Sequence, residues 1–383
     1  MARLSRGGGG RGQSWEKKAI LAGLVVGEVG ERKVAMKTFV CSHCANKIYF
    51  ENAECVKCGH ALGFDARTLQ FAAIKADKAG GGLFRRIDGK DATRVRYCAN
   101  ESHGVCNWLT SEKDPNALCP ACDLNRTIPN LAENGSLAAW GELERAKKRL
   151  IYSLLRFNLP FEASASNAGP LTFDFVRDAR TGHLDGVITI DIMEADAVER
   201  ERQRQVFQEP YRSLLGHLRH ESGHFYWMVL VEAAGKLDEF RSLFGDERQD
   251  YAAALAHHHT AGPPGDWQLR HVSSYASCHP WEDWAETWAH YLHMVDALDT
   301  SEAEGMEPRV KGFSLASLWP FKTHDVYRRD SFNSLMARWV PLTISLNSLS
   351  RSMGHNDFYP FVISAPAEAK LAFVHKLIRR HIR

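Results

Sequence analysis

Residues 216–227 read Gly-His-Leu-Arg-His-Glu-Ser-Gly-His-Phe-Tyr-Trp, and residues 220–224 form the pattern His-Glu-x-x-His. On a helix, residues four apart share a face, so the side chains of His220 and His224 can reach one Zn²⁺ ion. Glu221 follows the first histidine and would take a proton from the attacking water. Apolar residues flank the pattern at helical spacing. The stretch therefore predicts a buried helix with two metal ligands and a general base.

Gly223 lies inside this predicted helix. A glycine in a helix interior costs about 1 kcal/mol relative to alanine. The sequence therefore predicts that another backbone approaches the helix closely at this residue. The pattern by itself also arises by chance in a chain with 18 histidines, so a third ligand is needed to support the metal site.

A candidate third ligand lies in residues 275–293, which read YASCHPWEDWAETWAHYLH. Pro280 and the acidic residues after it fit the first turn of a helix. Glu282 and Glu286 are four residues apart, so both carboxylates lie on one face. In such a pair one carboxylate can bind the metal while the other orients a ligand histidine. Two histidines, one carboxylate and an open fourth position form the catalytic kind of zinc site, which predicts a zinc hydrolase.

The residue that would polarise the scissile carbonyl is less determined by the sequence. Tyr275 and His279 are the preferred candidates for this oxyanion donor, whereas a contact with Glu286 one turn away would be enough to explain His290. Residues 257–259 are three consecutive histidines before Gly-Pro-Pro-Gly, and we expect them to lie in an exposed loop.

Eight of the nine cysteines lie between residues 41 and 122, and three pairs have the spacing C-x-x-C. This spacing favours metal sites over disulfides, which remain the alternative. Each set of four thiolates would complete a tetrahedral structural site, although spacing does not distinguish zinc from iron. We expect two short ribbons with little apolar core. The first site comprises Cys41, Cys44, Cys55 and Cys58, and the second comprises Cys98, Cys106, Cys119 and Cys122.

Composition excludes several classes of partner. The chain has 383 residues, with 48 Lys+Arg against 46 Asp+Glu, so its net charge of +2 gives no reason to expect a nucleic acid or a membrane as partner. The apolar run at 19–27 is too short to span a bilayer, which takes about 20 residues. Since thiolate sites follow it, we expect residues 1–36 to be a disordered or spurious extension and the protein to be cytoplasmic.

The segments GHLRHESGHFYW and SCHPWEDWAETWAHYLH, behind ribbons that end in CPACDLNRTIPN, resemble the bacterial zinc-binding metallopeptidases with an N-terminal zinc-ribbon domain. The resemblance extends from about residue 37 beyond residue 300. The EDWAE segment is also similar to the third-ligand helix of gluzincins, which implies that Glu282 binds the metal and that Glu286 supports a histidine.

The expected fold is α+β, with a zincin-like metallopeptidase domain behind a small, rubredoxin-like zinc-ribbon region that binds metal through four cysteines per site. Apolar runs predict strands at 171–175 and 186–190 and a helix at 140–155. The expected domains are a double zinc ribbon over 37–125 and a catalytic domain over 130–300. We expect residues 301–383 to form a helical part packed on the catalytic domain.

The predicted function is zinc-dependent hydrolysis of peptide bonds, with one catalytic and two structural Zn²⁺ ions. The expected partners are a peptide or protein substrate and a protein that binds the ribbons. The rival hypothesis is a regulatory zinc-ribbon protein that binds protein or nucleic acid and whose zincin-like domain does not cleave. Residues 37–125 lack the dense Lys/Arg stripe that phosphate contacts need, so nucleic acid is not expected.

Overall fold

The computed structural model describes residues 39–89, 94–114, 116–163, 169–206, 213–306, 325–328 and 330–381. The predicted N-terminal extension over residues 1–36 lies outside the described residues.

The cysteine-rich region combines a short hairpin with a closed sheet. Strands β1 (Phe39–Val40) and β2 (Lys47–Ile48) pair antiparallel and carry the first C-x-x-C turn between them. Five further strands close on themselves through a parallel pairing of the first with the last. They are β3 (Ala61–Asp65), β4 (Gln70–Ala76), β5 (Phe84–Arg86), β6 (Val95–Tyr97) and β7 (Trp108–Ser111).

The prediction that this region has little apolar core is wrong. Phe64 and Trp108, on strands β3 and β7 of the closed sheet, are fully buried, with ring centroids 4.7 Å apart. Phe50 packs between this pair and Tyr152, which lies on the long helix that follows. The strands are buried over consecutive residues and do not alternate, so their pattern does not resemble the half-exposed strands of a ribbon. The cysteine region therefore shares one core with the rest of the chain.

A four-stranded sheet and the long helix follow. Their elements are α1 (Pro120–Asp123), β8 (Asn125–Thr127), α2 (Ser136–Arg156), β9 (Thr172–Val176), β10 (Gly182–Leu184) and β11 (Val187–Asp191). The strand order is β10-β11-β9-β8, in which β9 runs parallel to both of its neighbours and β10 pairs antiparallel with β11. The predicted helix and both predicted strands are confirmed as α2, β9 and β11.

Helices form the rest of the described chain. They are α3 (Ala197–Val206), α4 (Leu214–Trp227), α5 (Leu237–Phe244), α6 (Tyr251–Ala261), α7 (Pro280–Ala303), α8 (Phe332–Ser352) and α9 (Ala365–Arg379). The expected mixed α and β fold, with a cysteine-rich region ahead of a region that combines a sheet with helices, is confirmed. None of the described helices is long and apolar enough to cross a membrane.

The loop predicted at residues 257–259 is wrong in its secondary structure. These three histidines lie in the last turns of α6, which is capped by Asp250 and ends at Gly262. The Gly-Pro-Pro-Gly segment correctly marks the end of an element, but that element is a helix. None of the residues of α6 is buried.

The C-terminal helix α9 packs against α7. Lys370 on α9 donates to the buried carboxylate of Asp283 and, at 2.9 Å, to the carbonyl of Arg270. This contact joins the end of the chain to the helix that carries both candidate carboxylate ligands.

Candidate metal centre and active site

Helices α4 and α7 lie against each other at Gly223. A Cβ atom at this glycine would lie 2.9 Å from the Cα of Ala285 and 3.3 Å from its carbonyl oxygen. The predicted close approach of another backbone is therefore confirmed. Trp284 strengthens the contact, since its Nε1 donates to the carbonyl of Gly223 at 2.8 Å. The pattern on α4 thus faces the candidate carboxylates on α7.

The first turn of α7 is fixed by His279. Its Nδ1 accepts from the backbone N–H of Trp281 at 3.1 Å, and its Nε2 donates to the carbonyl of Gln249 at 3.2 Å. Pro280 occupies the first helical position, where its missing N–H costs nothing. Because both nitrogens of His279 are engaged in this way, the imidazole acts as the cap of the helix that presents Glu282.

His220, His224 and Glu282 form a group whose ligand atoms all lie within 4.8 Å of one another. Nε2 of His220 lies 2.9 Å from Oε2 of Glu282, and Nε2 of His224 lies 3.6 Å from Oε1 of the same carboxylate. All three residues are buried, with 8%, 4% and 1% exposure. A buried set of two imidazoles and one carboxylate suits zinc by the chemistry of its donors.

Glu286 contacts the other nitrogen of the first histidine. Its Oε1 accepts from Nδ1 of His220 at 2.6 Å, and its Oε2 accepts from Oγ of Ser273 at 2.5 Å. A carboxylate in this position fixes the orientation and the tautomer of a ligand histidine. Nδ1 of His224 is buried and has no hydrogen-bond partner among the described residues.

The charges of the site depend on one another. Burial alone would lower the pKa of His220, but Glu282 and Glu286 raise it well above its ordinary value. Burial alone would raise the pKa of Glu282, but His224 and His220 lower it to about 2. The two carboxylates therefore favour a proton on His220. Metal binding would displace this proton, because only a neutral imidazole binds a metal.

Glu221 lies beside a residue that the sequence analysis missed. Its Oε1 is 3.3 Å from Nε2 of His217, and Nδ1 of His217 donates to Oε2 of Glu194 at 2.7 Å. Burial would raise the pKa of Glu221, but His217 and the two histidines of the pattern lower it to about 2. His217 lies four residues before Glu221, a spacing that could have identified it, whereas Glu194 gives no local signal.

Two tyrosines lie near the three candidate ligands. The hydroxyl of Tyr251 donates to Oε1 of Glu282 at 2.7 Å, a contact that the sequence analysis also missed. The ring of Tyr275 lies 5.9 Å from the ring of His220. Burial, followed by the nearby charge of Glu282, raises the pKa of both phenols, so both remain protonated donors. Of the two predicted oxyanion donors, Tyr275 lies beside the pattern and His279 is used in the fold.

The eight N-terminal cysteines are free thiols that gather in two groups of four, as the spacing predicts. Within the groups, Sγ atoms lie 3.6 Å apart for Cys44 and Cys55 and 3.7 Å apart for Cys106 and Cys119. A disulfide requires about 2.05 Å, so the alternative of disulfide pairing is wrong. Four sulfurs at these separations suit a tetrahedral thiolate site.

Buried charged side chains of α2 lie beside the second cysteine group. Glu144 and Lys147 are fully buried and pair at 2.8 Å. Glu144 also accepts from Asn125 at 2.7 Å and lies 3.9 Å from Sγ of Cys122. The lysine thus offsets negative charge beside the thiolates.

Comparison with known proteins agrees with these sites. Residues 38–133 match a zinc-ribbon domain, and residues 136–377 match the family described as "Putative zinc-binding metallo-peptidase". The chain is 40% identical over 349 residues to the uncharacterized proteins Rv2568c of Mycobacterium tuberculosis and Mb2598c of Mycobacterium bovis, which covers 90% of this chain and 95% of each relative. No solved structure matches it. With the ribbon, the paired helices and the candidate ligands in place, the chain belongs to this zinc-binding metallopeptidase family.

Proposed function

We propose that this protein is a zinc-dependent peptidase in which His220, His224 and Glu282 hold the catalytic ion, as in gluzincins. The observation that carries the proposal is that the two nitrogens of His220 contact two different carboxylates. Its Nε2 faces Glu282 while its Nδ1 is held by Glu286. Such a pair of carboxylates on one imidazole is the arrangement of a ligand and its support.

When bound, zinc would supply the positive charge that lowers the pKa of water and polarises a peptide carbonyl. The carboxylate of Glu221 would accept a proton from water as that water attacks the carbonyl carbon. Glu221 would then donate the proton to the leaving amine nitrogen. Its place directly after His220 on α4, with a buried carboxylate, supports this role.

Tyr275 is the better supported of the two oxyanion donors. Its hydroxyl is protonated and its ring lies beside His220, whereas both nitrogens of His279 bond within the fold. A donor at this place would stabilise the negative charge that develops on the carbonyl oxygen.

The two cysteine groups would each hold one structural Zn²⁺ ion, which gives three ions per chain with the catalytic one. The expected partners are a peptide or protein substrate and a protein that contacts the ribbon region, and the expected compartment is the cytoplasm. The rival hypothesis of a binding protein that does not cleave is not favoured, because three candidate ligands lie together and a candidate base is adjacent to His220 on α4.

The proposal is tested with Glu221→Gln in the zinc-loaded protein. A mass-spectrometric screen of a mixed peptide library would report cleavage, and elemental analysis would report zinc. We expect zinc content to stay unchanged and cleavage to fall about 10²-fold to 10⁴-fold, the usual contribution of a general base. Glu142→Gln, on the exposed side of α2, is the matched control and should cleave like the wild type.

Two outcomes would contradict the proposal. Cleavage that persists in zinc-loaded Glu221→Gln would show that this carboxylate is not the base. A zinc-loaded wild type that binds peptides from the library and cuts none of them would favour the binding protein.

A further inference from the structure

His217 and Glu221 lie one helical turn apart on α4, on the face that also carries His220 and His224. Their side chains meet, with Nε2 of His217 3.3 Å from Oε1 of Glu221. One oxygen of the Glu221 carboxylate therefore lies at ion-pair distance from the histidine of the preceding turn.

The other ring nitrogen of His217 is held by a hydrogen bond. Nδ1 of His217 donates to Oε2 of Glu194 at 2.7 Å, and Oε1 of Glu194 accepts from Oγ1 of Thr181 at 2.5 Å. Thr181 in turn accepts from the backbone N–H of Asp191 at 3.1 Å. The side chains of Glu194 and Glu221 are 7% and 8% exposed. A continuous line of contacts thus runs from the last residue of β11 to the proposed base.

We propose that His217 and Glu194 are positioning residues that hold the carboxylate of Glu221 for proton transfer. This inference rests on the proposed function, in which Glu221 is the general base. Neither residue touches the ligand atoms of His220, His224 or Glu282 in the described contacts.

The physical reason lies in the freedom of a glutamate side chain. An unrestrained glutamate samples several rotamers, and a displacement of about 1 Å in a reacting group can cost 10²-fold in rate. A protonated imidazole that is hydrogen-bonded to one carboxylate and lies at ion-pair distance from a second one attracts both and restricts their rotamers. If the only role of His217 were to anchor the turn at residues 192–195 to α4, its contact with Glu194 would be enough. The position of Glu221 would then not depend on His217.

The test measures binding of acetohydroxamate to the zinc-loaded full chain by isothermal titration calorimetry. This probe has a hydroxyl proton that a carboxylate beside the metal accepts, so its affinity reports the position of Glu221 without any substrate. We expect His217→Leu to weaken binding about 10-fold to 100-fold with unchanged zinc content. His217→Gln keeps a side-chain N–H donor, so it should recover part of the lost affinity for acetohydroxamate. It also replaces His217→Leu in the test if the leucine variant does not fold.

Two further variants show whether His217 acts through Glu221. In a Glu221→Gln background, His217→Leu should not weaken the binding of acetohydroxamate any further. His375→Leu is the matched control, because it removes another buried histidine, whose Nδ1 contacts the hydroxyl of Tyr291 in α7 at 2.9 Å. It should lower thermal stability and leave the affinity for the probe unchanged.

Three results would overturn the proposal: equal binding by His217→Leu and the wild type, an additive loss in the Glu221→Gln background, or no binding of acetohydroxamate by the zinc-loaded wild type. If the expected pattern appears while no peptide is cut, the positioning of Glu221 stands and the proposed peptidase function fails. With a cleavable peptide, kcat should fall in His217→Leu while KM stays unchanged.

Discussion

Gly223→Ala should separate the two helices that build the metal centre. The new Cβ would lie 2.9 Å from the Cα of Ala285, 3.2 Å from Cδ1 of Trp288 and 3.3 Å from the carbonyl oxygen of Ala285. Two of these three atoms belong to backbone, which cannot rotate away as the end of a side chain can. The helices must therefore move apart, and the ligands on α4 move away from Glu282 on α7.

Two opposing free-energy contributions determine how much Gly223→Ala destabilises the protein. Alanine gains about 1 kcal/mol over glycine in a helix interior. Overpacking of a well-packed contact costs about 1–3 kcal/mol, and the rigid backbone partner places this contact at the upper end. The free energy of unfolding should therefore fall by about 1–2 kcal/mol, and zinc affinity should fall with it.

The matched control is Gly141→Ala in α2, where the new Cβ would meet only Cγ1 of Val105 at 3.6 Å. This variant keeps the gain in helix propensity without the clash, so it should be more stable than the wild type by up to about 1 kcal/mol. Urea unfolding of both zinc-loaded variants, with chelator competition for zinc affinity, measures the difference. A Gly223→Ala protein as stable as Gly141→Ala, with wild-type zinc affinity, would refute the argument from close approach.

Three further changes test other parts of the structure. Glu286→Gln keeps an acceptor near Nδ1 of His220 but removes its charge, so zinc affinity should fall about 10-fold to 100-fold in a chelator competition; an unchanged affinity would count against its supporting role. Lys370→Met leaves the buried Asp283 without its lysine, which should lower the free energy of unfolding in urea by about 3 kcal/mol. An unchanged free energy of unfolding would show that the pair is dispensable for stability. Alanine at both His220 and His224 should lower the zinc content from three ions to two by elemental analysis, since the cysteine groups are separate, whereas two ions in both proteins would contradict a histidine site.

The elements of the site that could be predicted from sequence are those fixed by local spacing. A separation of four residues placed His220 with His224 on one face, and Gly223 signalled the close approach of α7. Spacing also put Glu282 and Glu286 on one face, but it could not say which was the ligand. That choice depends on which nitrogen of His220 each carboxylate meets, and only the packing of α4 on α7 decides it.

The elements that could not be predicted come from segments distant in sequence. Glu194 begins a charged stretch of the sequence, yet it is 5% exposed and bonds to His217. Tyr251 begins α6, a helix without buried residues, yet its hydroxyl reaches Glu282. Neither residue stands in a pattern with the residue that it contacts. Local periodicity carries no information on such pairs, because tertiary packing creates them.

The way in which the cysteine region is attached bears on what it does. A recognition module on a flexible tether would share few contacts with the catalytic part. Here Phe50 packs on Tyr152 of α2, and Lys47 pairs with Glu304 just after α7. The second cysteine group is fully buried beside α2, while Val56 in the first group is 86% exposed. The second group thus packs against α2, whereas the first group lies nearer the surface. Loss of the second metal should therefore disturb the histidine site as well, which a separate binding module would not do.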